Sequence, residues 1–360
     1  MKKLLKTTAI AMTMGFAATA AQAGEITIVS WGGGYTKSQI EAYHKPYIEM
    51  TGTKINSEDY SGGLAEVRAQ VEAGNVTWDL VDVEFSDAVL GCDEGILEPI
   101  DLSILPAAPD GTPAAKDFID GALNECAVAN IVWSTIYAYD KTKFTGKAPT
   151  TLKDFFDVKG FPGKRGMRKG AKPNLEFALM ADGVAAADVY EMLSTPAGVD
   201  RAFAKLDTIK NDVVWWEAGA QPPQMLADGE VAMSTAYNGR VFGAIVSENK
   251  PFEIVWDGQI YDLDLWVVPK GAPNKEEAMK FIAFSTDTQR LADQSKYISY
   301  GPARMSSAAM IGKHAETGVD MLPHMPTAPA NFKTALGNDF QWWADYGDEM
   351  NERFAAWLAQ

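Results

Sequence analysis

The side chains of this sequence that could carry out chemistry are mainly carboxylates. Asp82 and Glu84 stand two residues apart in WDLVDVEF, and Asp262 and Asp264 stand two residues apart in YDLDLW. Paired carboxylates act as acid and base, or as acid and nucleophile, in glycosidases. A secreted hydrolase is therefore one hypothesis. A protein that binds a solute without converting it is the other.

Histidines and cysteines offer no second set of catalytic groups. His44, His314 and His324 are scattered along the chain without the spacing of a metal site, so we expect neither a metal nor a cofactor. The two cysteines, Cys92 and Cys126, have no histidine near them in the sequence. In an oxidising compartment such a pair is typical of a disulfide, and we predict one between them.

The stretch WGGGYTKS, residues 31–38, has only part of the pattern of a phosphate-binding loop. A P-loop needs a glycine where Thr36 stands, and a dinucleotide-binding loop needs one where Lys37 stands. Because both patterns fail, we do not expect a nucleotide site. We predict instead that the glycines let the backbone approach a small ligand, and that Thr36 or Ser38 caps a helix beginning near Lys37.

Residues 1–23 have the pattern of a signal peptide. Three lysines precede an apolar segment too short to cross a bilayer, and Ala21-Gln22-Ala23 forms a small-residue cleavage pattern before Gly24. We therefore expect cleavage near Ala23-Gly24 and a mature protein in the periplasm.

Length and composition predict a soluble protein of two domains or one large one. The chain has 360 residues, of which 47% are hydrophobic, and a formal net charge of −16. Such an acidic surface argues against nucleic acid and anionic membranes as partners. A small-molecule ligand is compatible with it.

The elements that must position these side chains alternate between strand and helix. EITIVSW, KINSEDY and WDLVDVEF have strand patterns and are separated by helical patterns, which predicts an α/β fold with parallel strands. Ligands bind at the carboxyl ends of strands in such sheets. Trp31, Tyr60 and Glu84 stand at or near these ends.

Several ordered stretches resemble the substrate-binding proteins of ABC transporters, in the polyamine-binding branch and its amino-acid-binding relatives. The stretches are VSWGGGYTKS, WDLVDVE, VWSTIYAYD, WWEAGAQPPQMLADGEVAMSTAYNGR, LWVVPKGAPNKEEA and YGPAR. The resemblance implies a two-lobed type II periplasmic binding protein, each lobe a mostly parallel sheet flanked by helices, with the ligand cleft between the lobes. It also implies a monomer that closes by a hinge motion and delivers its solute to permease subunits in the inner membrane, without being an enzyme.

The resemblance further implies a division of the chain. The predicted parts are the signal peptide 1–23, lobe 1 formed by 24–134 plus 268–316, and lobe 2 formed by 135–267 plus 317–360. Segments that cross between the lobes are expected near Ser134–Tyr137 and Asp264–Val267, with a third after Arg304.

The resemblance also implies a ligand site. Trp31 and Tyr237 match aromatic residues of the cleft in polyamine binders, and Asp264 matches an acid that holds an amine. Two positions depart from that pattern, because Arg240 stands where polyamine binders carry a small residue and Asp262 stands where they carry a stacking aromatic.

A guanidinium in the cleft would repel a diamine and would suit a carboxylate, which it can bind through two hydrogen bonds. Together, Arg240 and Asp264 therefore favour a zwitterionic ω-amino acid such as γ-aminobutyrate. The predicted ligand-binding residues are Trp31, Tyr60, Glu84, Trp216, Tyr237, Asn238, Arg240 and Asp264.

Several alternatives remain open at this point. Arg240 could pair with Asp262 or Asp264 as a structural bridge, the tryptophans could belong to the core, and Glu84 could cap the helix that follows it. A polyamine, such as putrescine or spermidine, is the alternative ligand. A dicarboxylate and a betaine-like or sulfonium zwitterion also fit.

Overall fold

The computed structural model describes residues 24–360, and the predicted signal peptide lies outside the described residues. The strands are β1 Glu25–Ser30, β2 Lys54–Asp59, β3 Leu80–Glu84, β4 Ala127–Asp140, β5 Arg165–Arg168, β6 Val213–Trp216, β7 Met233–Tyr237, β8 Phe252–Val267, β9 Gly301–Pro302 and β10 Leu336–Gly337.

Helices alternate with these strands along the chain. They are α1 Gly33–Gln39, α2 Lys45–Thr51, α3 Ala65–Glu72, α4 Phe85–Asp93, α5 Ala114–Asp117, α6 Leu152–Phe156, α7 Asn174–Ala181, α8 Val189–Leu193, α9 Pro196–Asp207, α10 Gln221–Ala227, α11 Asn238–Val246, α12 Lys275–Ser285, α13 Thr288–Gln294, α14 Met305–Ala308 and α15 Phe340–Leu358.

The strands form two parallel groups joined by two long antiparallel strands. β1 pairs in parallel with β2 and β3, and β5 pairs in parallel with β6 and β7. β4 and β8 pair with each other in antiparallel fashion and connect the groups, so that the strand order is β2-β1-β3-β8-β4-β7-β5-β6. This arrangement confirms the predicted α/β fold with parallel strands.

Two main hydrophobic cores lie along β4 and β8. Ile28, Val83 and Leu265 belong to the first core, whereas Met167 and Leu336 belong to the second. Since both long strands run through both cores, they are the physical connection between the two parallel groups.

One part of the predicted lobe division differs from the packing. Leu263 and Val267, assigned from the sequence to the second lobe, pack in the first core because β8 pairs there with β3. Ile260 packs in the second core, so β8 passes between the cores upstream of the predicted crossing at Asp264–Val267. The other lobe boundaries stay a prediction.

The helix after β1 begins earlier than the sequence predicted. α1 starts at Gly33, directly after Gly32, whose φ of 74° places it in the left-handed region that suits glycine. No side chain caps this helix in the way expected of Thr36 or Ser38. Thr36 Oγ1 instead accepts a hydrogen bond from the backbone N–H of Gly32 at 2.8 Å, and Ser38 Oγ donates to the carbonyl of Tyr35.

Cys92 and Cys126 form the predicted disulfide. Cys92 lies in α4, and Cys126 directly precedes β4, with a Cα–Cα distance of 5.8 Å. The bond therefore ties a helix of the first core to the start of a strand that crosses the molecule.

The C-terminal helix α15 is the longest helix among residues 24–360, and its apolar face packs on the second core. Phe354 and Trp357 contact Trp215 edge to face, and Trp342 and Trp343 are buried. In residues 24–360 no helix combines the length and the apolar character needed to cross a membrane.

Candidate ligand-binding site

A small cavity lies where the ends of β1, β3 and β7 meet the long strands. It is lined by Trp31, Tyr35, Glu84, Trp133, Tyr237, Arg240, Asp264 and Tyr300. Five of these side chains are aromatic, and three are charged. The carboxyl ends of parallel strands thus form the site, as the sheet architecture predicts.

Asp264 is a buried carboxylate without a cationic partner among residues 24–360. Only 5% of the residue is exposed, and its Oδ1 accepts a hydrogen bond from the indole Nε1 of Trp133 at 2.6 Å. Burial raises the pKa of Asp264 well above its usual value, and the nearby charges of Asp82 and Glu84 raise the pKa further. An ammonium group placed here would relieve the cost of burying this charge.

Arg240 is the opposite case, a cation without an acidic partner among the described residues. Its Nη2 donates to the backbone carbonyl of Trp31 at 3.3 Å, while its Nε and Nη1 are buried and make no hydrogen bond. Arg240 therefore does not form the structural bridge to Asp262 or Asp264 left open by the sequence. Its free donors line the cavity and suit a carboxylate.

The glycines after Trp31 make room for this guanidinium. A Cβ on Gly33 would lie 3.2 Å from Arg240 Nη1, and one on Gly34 would lie 3.7 Å from it. Any side chain at Gly33 would also need its φ of 58°. The glycines therefore leave space for the side chain of Arg240. The sequence predicted a different role, in which they let the backbone approach a ligand.

The aromatic side chains pack on one another to form the walls of the cavity. Trp133 and Tyr237 meet edge to face with ring centroids 5.1 Å apart, and Tyr35 and Tyr300 do so at 5.4 Å. Trp31 has a buried indole N–H without a hydrogen-bond partner. Such walls suit a methylene chain that carries an ammonium group, since aromatic faces attract cations.

Glu84 lies at the edge of the cavity and pairs with cations of the neighbouring strand group. Its carboxylate oxygens lie 2.9 Å from Lys172 Nζ and 3.4 Å from Arg168 Nη1, and Lys172 Nζ also lies 3.0 Å from Asp262. Burial works to raise the pKa of Glu84, but the charges of Lys172 and Arg168 lower it to about 2. Glu84 occupies the N-cap position of α4, but its side chain makes no capping hydrogen bond.

A larger cavity of about 330 Å³ adjoins the small one and shares Trp31 and Glu84 with it. Its other lining residues include Asp87, Lys172 and Asp348. We take the small cavity as the candidate site because Asp264 and Arg240, an acid and a base that lack partners of opposite charge among residues 24–360, both line it. The charges of Glu84 and Lys172 in the larger cavity are already paired.

The four carboxylates do not form the catalytic pairs of the hydrolase hypothesis. Asp82 is fully buried and accepts hydrogen bonds from Gln39 and Ser30, and burial raises its pKa to about 7. Glu84 and Asp262 are paired with Lys172, whereas neither Asp82 nor Asp264 has a cationic partner among residues 24–360. Among residues 24–360 no cluster of side chains has the composition of a metal site.

The structure brings five of the eight predicted residues to the cavity, namely Trp31, Glu84, Tyr237, Arg240 and Asp264. Tyr60 lies behind Trp31, with ring centroids 5.2 Å apart, and its hydroxyl donates to the carbonyl of Asp82. Trp216 lies behind Tyr237 at 5.5 Å, in a hydrophobic cluster. Tyr60 and Trp216 thus support the walls from outside.

Asn238 is not placed in the cavity. Its carboxamide oxygen accepts from the backbone N–H of Ser134, and its Nδ2 donates to the carbonyl and hydroxyl oxygens of Ser299. The side chain therefore joins β4 to the segment before β9, and its amide protons are not available to a ligand.

Sequence reasoning missed two groups of residues at the site. The first group is aromatic and consists of Tyr35, Trp133 and Tyr300. The second is the basic pair Arg168 and Lys172. Arg168 ends a strand, so the rule that drew attention to Trp31 could have found it. Nothing in the local sequence indicates that Lys172 meets acids from residues 84 and 262.

Comparisons with known proteins identify the family. The family model of bacterial extracellular solute-binding proteins matches residues 42–327. A γ-aminobutyric acid-binding protein of Pseudomonas aeruginosa is 46% identical over 348 residues, which are 96% of this chain and 95% of that protein.

Two solved structures are also similar over nearly the whole chain. The periplasmic binding protein MotA of A. tumefaciens B6, in complex with glucopine, has a TM-score of 0.84 and 31% identity, covering 93% of this chain and 99% of that one. A GABA receptor structure has a TM-score of 0.79 and 32% identity, covering 94% of this chain and 98% of that one. Both support the predicted type II periplasmic binding protein fold.

Proposed function

Since the chain belongs to the family of bacterial extracellular solute-binding proteins and is the solute-binding component of an ABC importer, we propose that its solute is a zwitterionic ω-amino acid such as γ-aminobutyrate. As a transport component of this family it is not an enzyme. The name of the Pseudomonas aeruginosa relative agrees with the proposed solute.

The observation that carries the proposal is a buried acid and a partly buried base in one aromatic cavity, neither of which has a partner of opposite charge among residues 24–360. Asp264 is buried without a cation, and Arg240 has buried donors without an acceptor. Burying an unpaired charge is costly, and a solute with an ammonium at one end and a carboxylate at the other supplies both partners. A solute with only one of these charges leaves the other residue unpaired.

Each side chain of the site then has a defined role in the proposal. Asp264 accepts from the ammonium group, and Arg240 donates to the carboxylate. Trp31, Trp133 and Tyr237 enclose the methylene chain and offer aromatic faces near the ammonium. Glu84 lines the cavity with its charge paired to Lys172 and Arg168, while Tyr60, Trp216 and Asn238 hold the walls in place.

A polyamine is the less favoured solute. A diamine would place a second ammonium group in a site that already contains the Arg240 guanidinium, and like charges in a buried site repel each other. Two of the nearby acids, Glu84 and Asp262, are already paired with Lys172. With a polyamine as its solute, the protein would still be the solute-binding component of an ABC importer.

The remaining parts of the proposal concern location and partners. We infer that residues 1–23 are removed as a signal peptide, that the protein works in the periplasm as a monomer, and that permease subunits in the inner membrane receive the closed form. Closure is a hinge motion about the segments that cross between the two cores.

A thermal-shift screen of amines, amino acids and carboxylates tests the proposed solute class. A ligand at 100 times its Kd adds about 2.7 kcal/mol of stability, which raises the melting temperature visibly. We expect γ-aminobutyrate and homologues of similar length to give the largest shifts. A larger shift with putrescine than with any ω-amino acid would contradict the proposal.

A further inference from the structure

Lys172 occupies an unusual position beside the site. It lies in the loop between β5 and α7, and only 13% of its side chain is exposed. Its Nζ contacts Glu84 at 2.9 Å and Asp262 at 3.0 Å, and the hydroxyl of Ser86 lies 3.4 Å away. One ammonium group is therefore surrounded by three oxygen-bearing side chains.

The two acids that bind Lys172 are neighbours of Asp264. Asp262 is two residues from Asp264 on β8, and alternation puts both side chains on one face. Their Cα atoms are about 7 Å apart at 3.4 Å per residue. Glu84 stands directly opposite Asp264 in the ladder between β3 and β8. The Lys172 ammonium thus binds two acids that are neighbours of Asp264, where the ammonium of the solute is proposed to bind.

The Cα spacing of Asp262 and Asp264 is close to the distance between the two nitrogens of a short diamine. The two nitrogens of 1,4-diaminobutane are separated by five single bonds of about 1.5 Å each, and they lie roughly 6 Å apart in the extended molecule because the chain zigzags. Without Lys172, Glu84 and Asp262 would present a second buried anionic site at that distance from Asp264. The protein would then hold acids suited to both ends of a diamine.

We propose that Lys172 is a specificity-determining residue: its ammonium group takes the position that the second ammonium of a diamine would occupy, and so restricts the site to solutes with one ammonium group. This inference rests on the proposed function of the cavity. Arg240 selects the carboxylate at one end, and Lys172 excludes a second cation at the other.

Charge supports this assignment. Glu84 and Asp262 carry two negative charges, and Lys172 and Arg168 carry two positive charges, so these four paired groups balance one another without any solute. Burial favours the neutral form of Lys172, but the charges of Asp262 and Glu84 outweigh it and raise the pKa of the lysine. Lys172 is therefore held as an ammonium ion.

The first test compares Lys172→Met with wild type by isothermal titration calorimetry using 1,4-diaminobutane and γ-aminobutyrate. Methionine keeps the approximate length of the side chain and removes the charge. We expect the ratio of the association constants for the diamine and γ-aminobutyrate to rise at least about tenfold. Lys172→Arg, which keeps a cation, should give no such rise.

Lys169→Met is the matched control. Lys169 lies three residues away, is half-exposed and pairs with Glu217 at 2.8 Å, so its replacement removes the same charge without touching Glu84 or Asp262. The ratio should stay within about twofold of wild type in this control. An unchanged ratio in Lys172→Met, or an equal rise in both variants, would overturn the proposal.

A second measurement covers the case in which Lys172→Met folds poorly. Lys172→Ala leaves a gap of three carbons and one nitrogen, which propylamine can fill. We expect propylamine to raise the melting temperature of Lys172→Ala and not that of wild type, while propanol raises neither. A variant that remains unfolded or gains nothing with propylamine would contradict an ammonium site at these acids.

These results separate the inference from the proposed function. Tight binding of γ-aminobutyrate by wild type with no diamine gain in Lys172→Met would remove only the role of Lys172. Failure of wild type to bind any ω-amino acid, together with propylamine rescue of Lys172→Ala, would remove the proposed solute and keep the ammonium site.

Discussion

At the scale of single residues, Arg240 and Asp264 define the site, because neither has a partner of opposite charge among residues 24–360. Arg240 and Asp264 were predictable from the family resemblance. Arg240 departs from the pattern of polyamine binders, and Asp264 matches an acid that holds an amine. Asn238 stands in the same kind of position, but its carboxamide is used by Ser134 and Ser299. Local sequence cannot distinguish these cases, because the partners of Asn238 are more than sixty residues away in the chain.

Lys172 illustrates the other limit of sequence reasoning. Its acidic partners come from positions 88 and 90 residues distant, and only the packing of β3, β5 and β8 brings them together. Buried ion pairs of this kind leave no periodic pattern in the sequence. They therefore become visible only in the folded protein.

Replacing Asp264 with Asn should strongly weaken the binding of ω-amino acids. Asparagine keeps the shape and the hydrogen bond from Trp133 and removes the charge that balances the ammonium. The expected loss is roughly 2–5 kcal/mol, which corresponds to at least about thirtyfold in Kd. Calorimetry checks the affinity, and a melting temperature equal to or above that of wild type shows that the fold is intact. Unchanged affinity would remove Asp264 from the site.

Binding should also release protons, because the pKa of Asp264 is raised in the free protein. A raised pKa stabilises the folded state below the unfolded pKa of 3.8, and this contribution is lost as the pH rises through the folded pKa. An ammonium ligand favours the carboxylate, so it displaces a bound proton at pH values below the raised pKa.

Calorimetry in two buffers of different ionisation enthalpy measures this release. We expect the affinity for γ-aminobutyrate to fall as the pH decreases through the Asp264 pKa, by up to about tenfold per pH unit. Asp264→Asn, which cannot titrate, should show no buffer dependence from this group. Equal proton release by wild type and Asp264→Asn would exclude Asp264 as its source.

At the scale of elements, the strand ends and the two long strands position the site. The sequence predicted β1 and β3 well, because each is a short, largely apolar run followed by an aromatic residue. β8 begins at Phe252, and the burial of residues 252–260 does not alternate regularly. The ladder between β4 and β8 is also irregular near Thr135–Tyr137. Such irregularity hides a strand from period-based reasoning.

The disulfide between Cys92 and Cys126 should stabilise the first core. The closed loop spans 34 residues, for which the chain-entropy model gives roughly 3–4 kcal/mol. Urea unfolding of the Cys92→Ser/Cys126→Ser variant should give a free energy of unfolding lower by about this amount. Ligand affinity should change little, since neither cysteine lines the cavity. Alkylation of wild type without reductant should modify no thiol, and two modified thiols would contradict the bond.

At the scale of the whole molecule, the charged groups of the site come from segments that are far apart in the sequence. Glu84 ends a strand of the first core, Arg240 lies in the helix after β7, and Asp264 lies on a strand that passes between the cores. In the proposed closed form, a ligand held by Arg240 and Asp264 joins α11 to β8. This is why a solute with two charges can stabilise the closed form, which is the form proposed to meet the permease.

The overall architecture was predictable from the sequence, whereas the exact path of the chain between the cores was not. Alternating strand and helix patterns and the family resemblance indicate a two-lobed α/β fold. The passage of β8 upstream of Asp264 depends on pairing with β3 and β4, which are more than a hundred residues away. Long-range pairing of this kind has no local signature.

The central claim is that the site selects a zwitterion through Arg240, and affinities for γ-aminobutyrate and putrescine before and after Arg240→Ser test it most directly. Serine removes the guanidinium and leaves no unpaired acid, because Arg240 has no acidic partner among residues 24–360. We predict that γ-aminobutyrate binding weakens by at least about 2 kcal/mol, or about thirtyfold, while putrescine binding strengthens because a like charge is gone. Similar losses for both solutes, or tighter binding of putrescine than of γ-aminobutyrate by the wild type, would contradict the account.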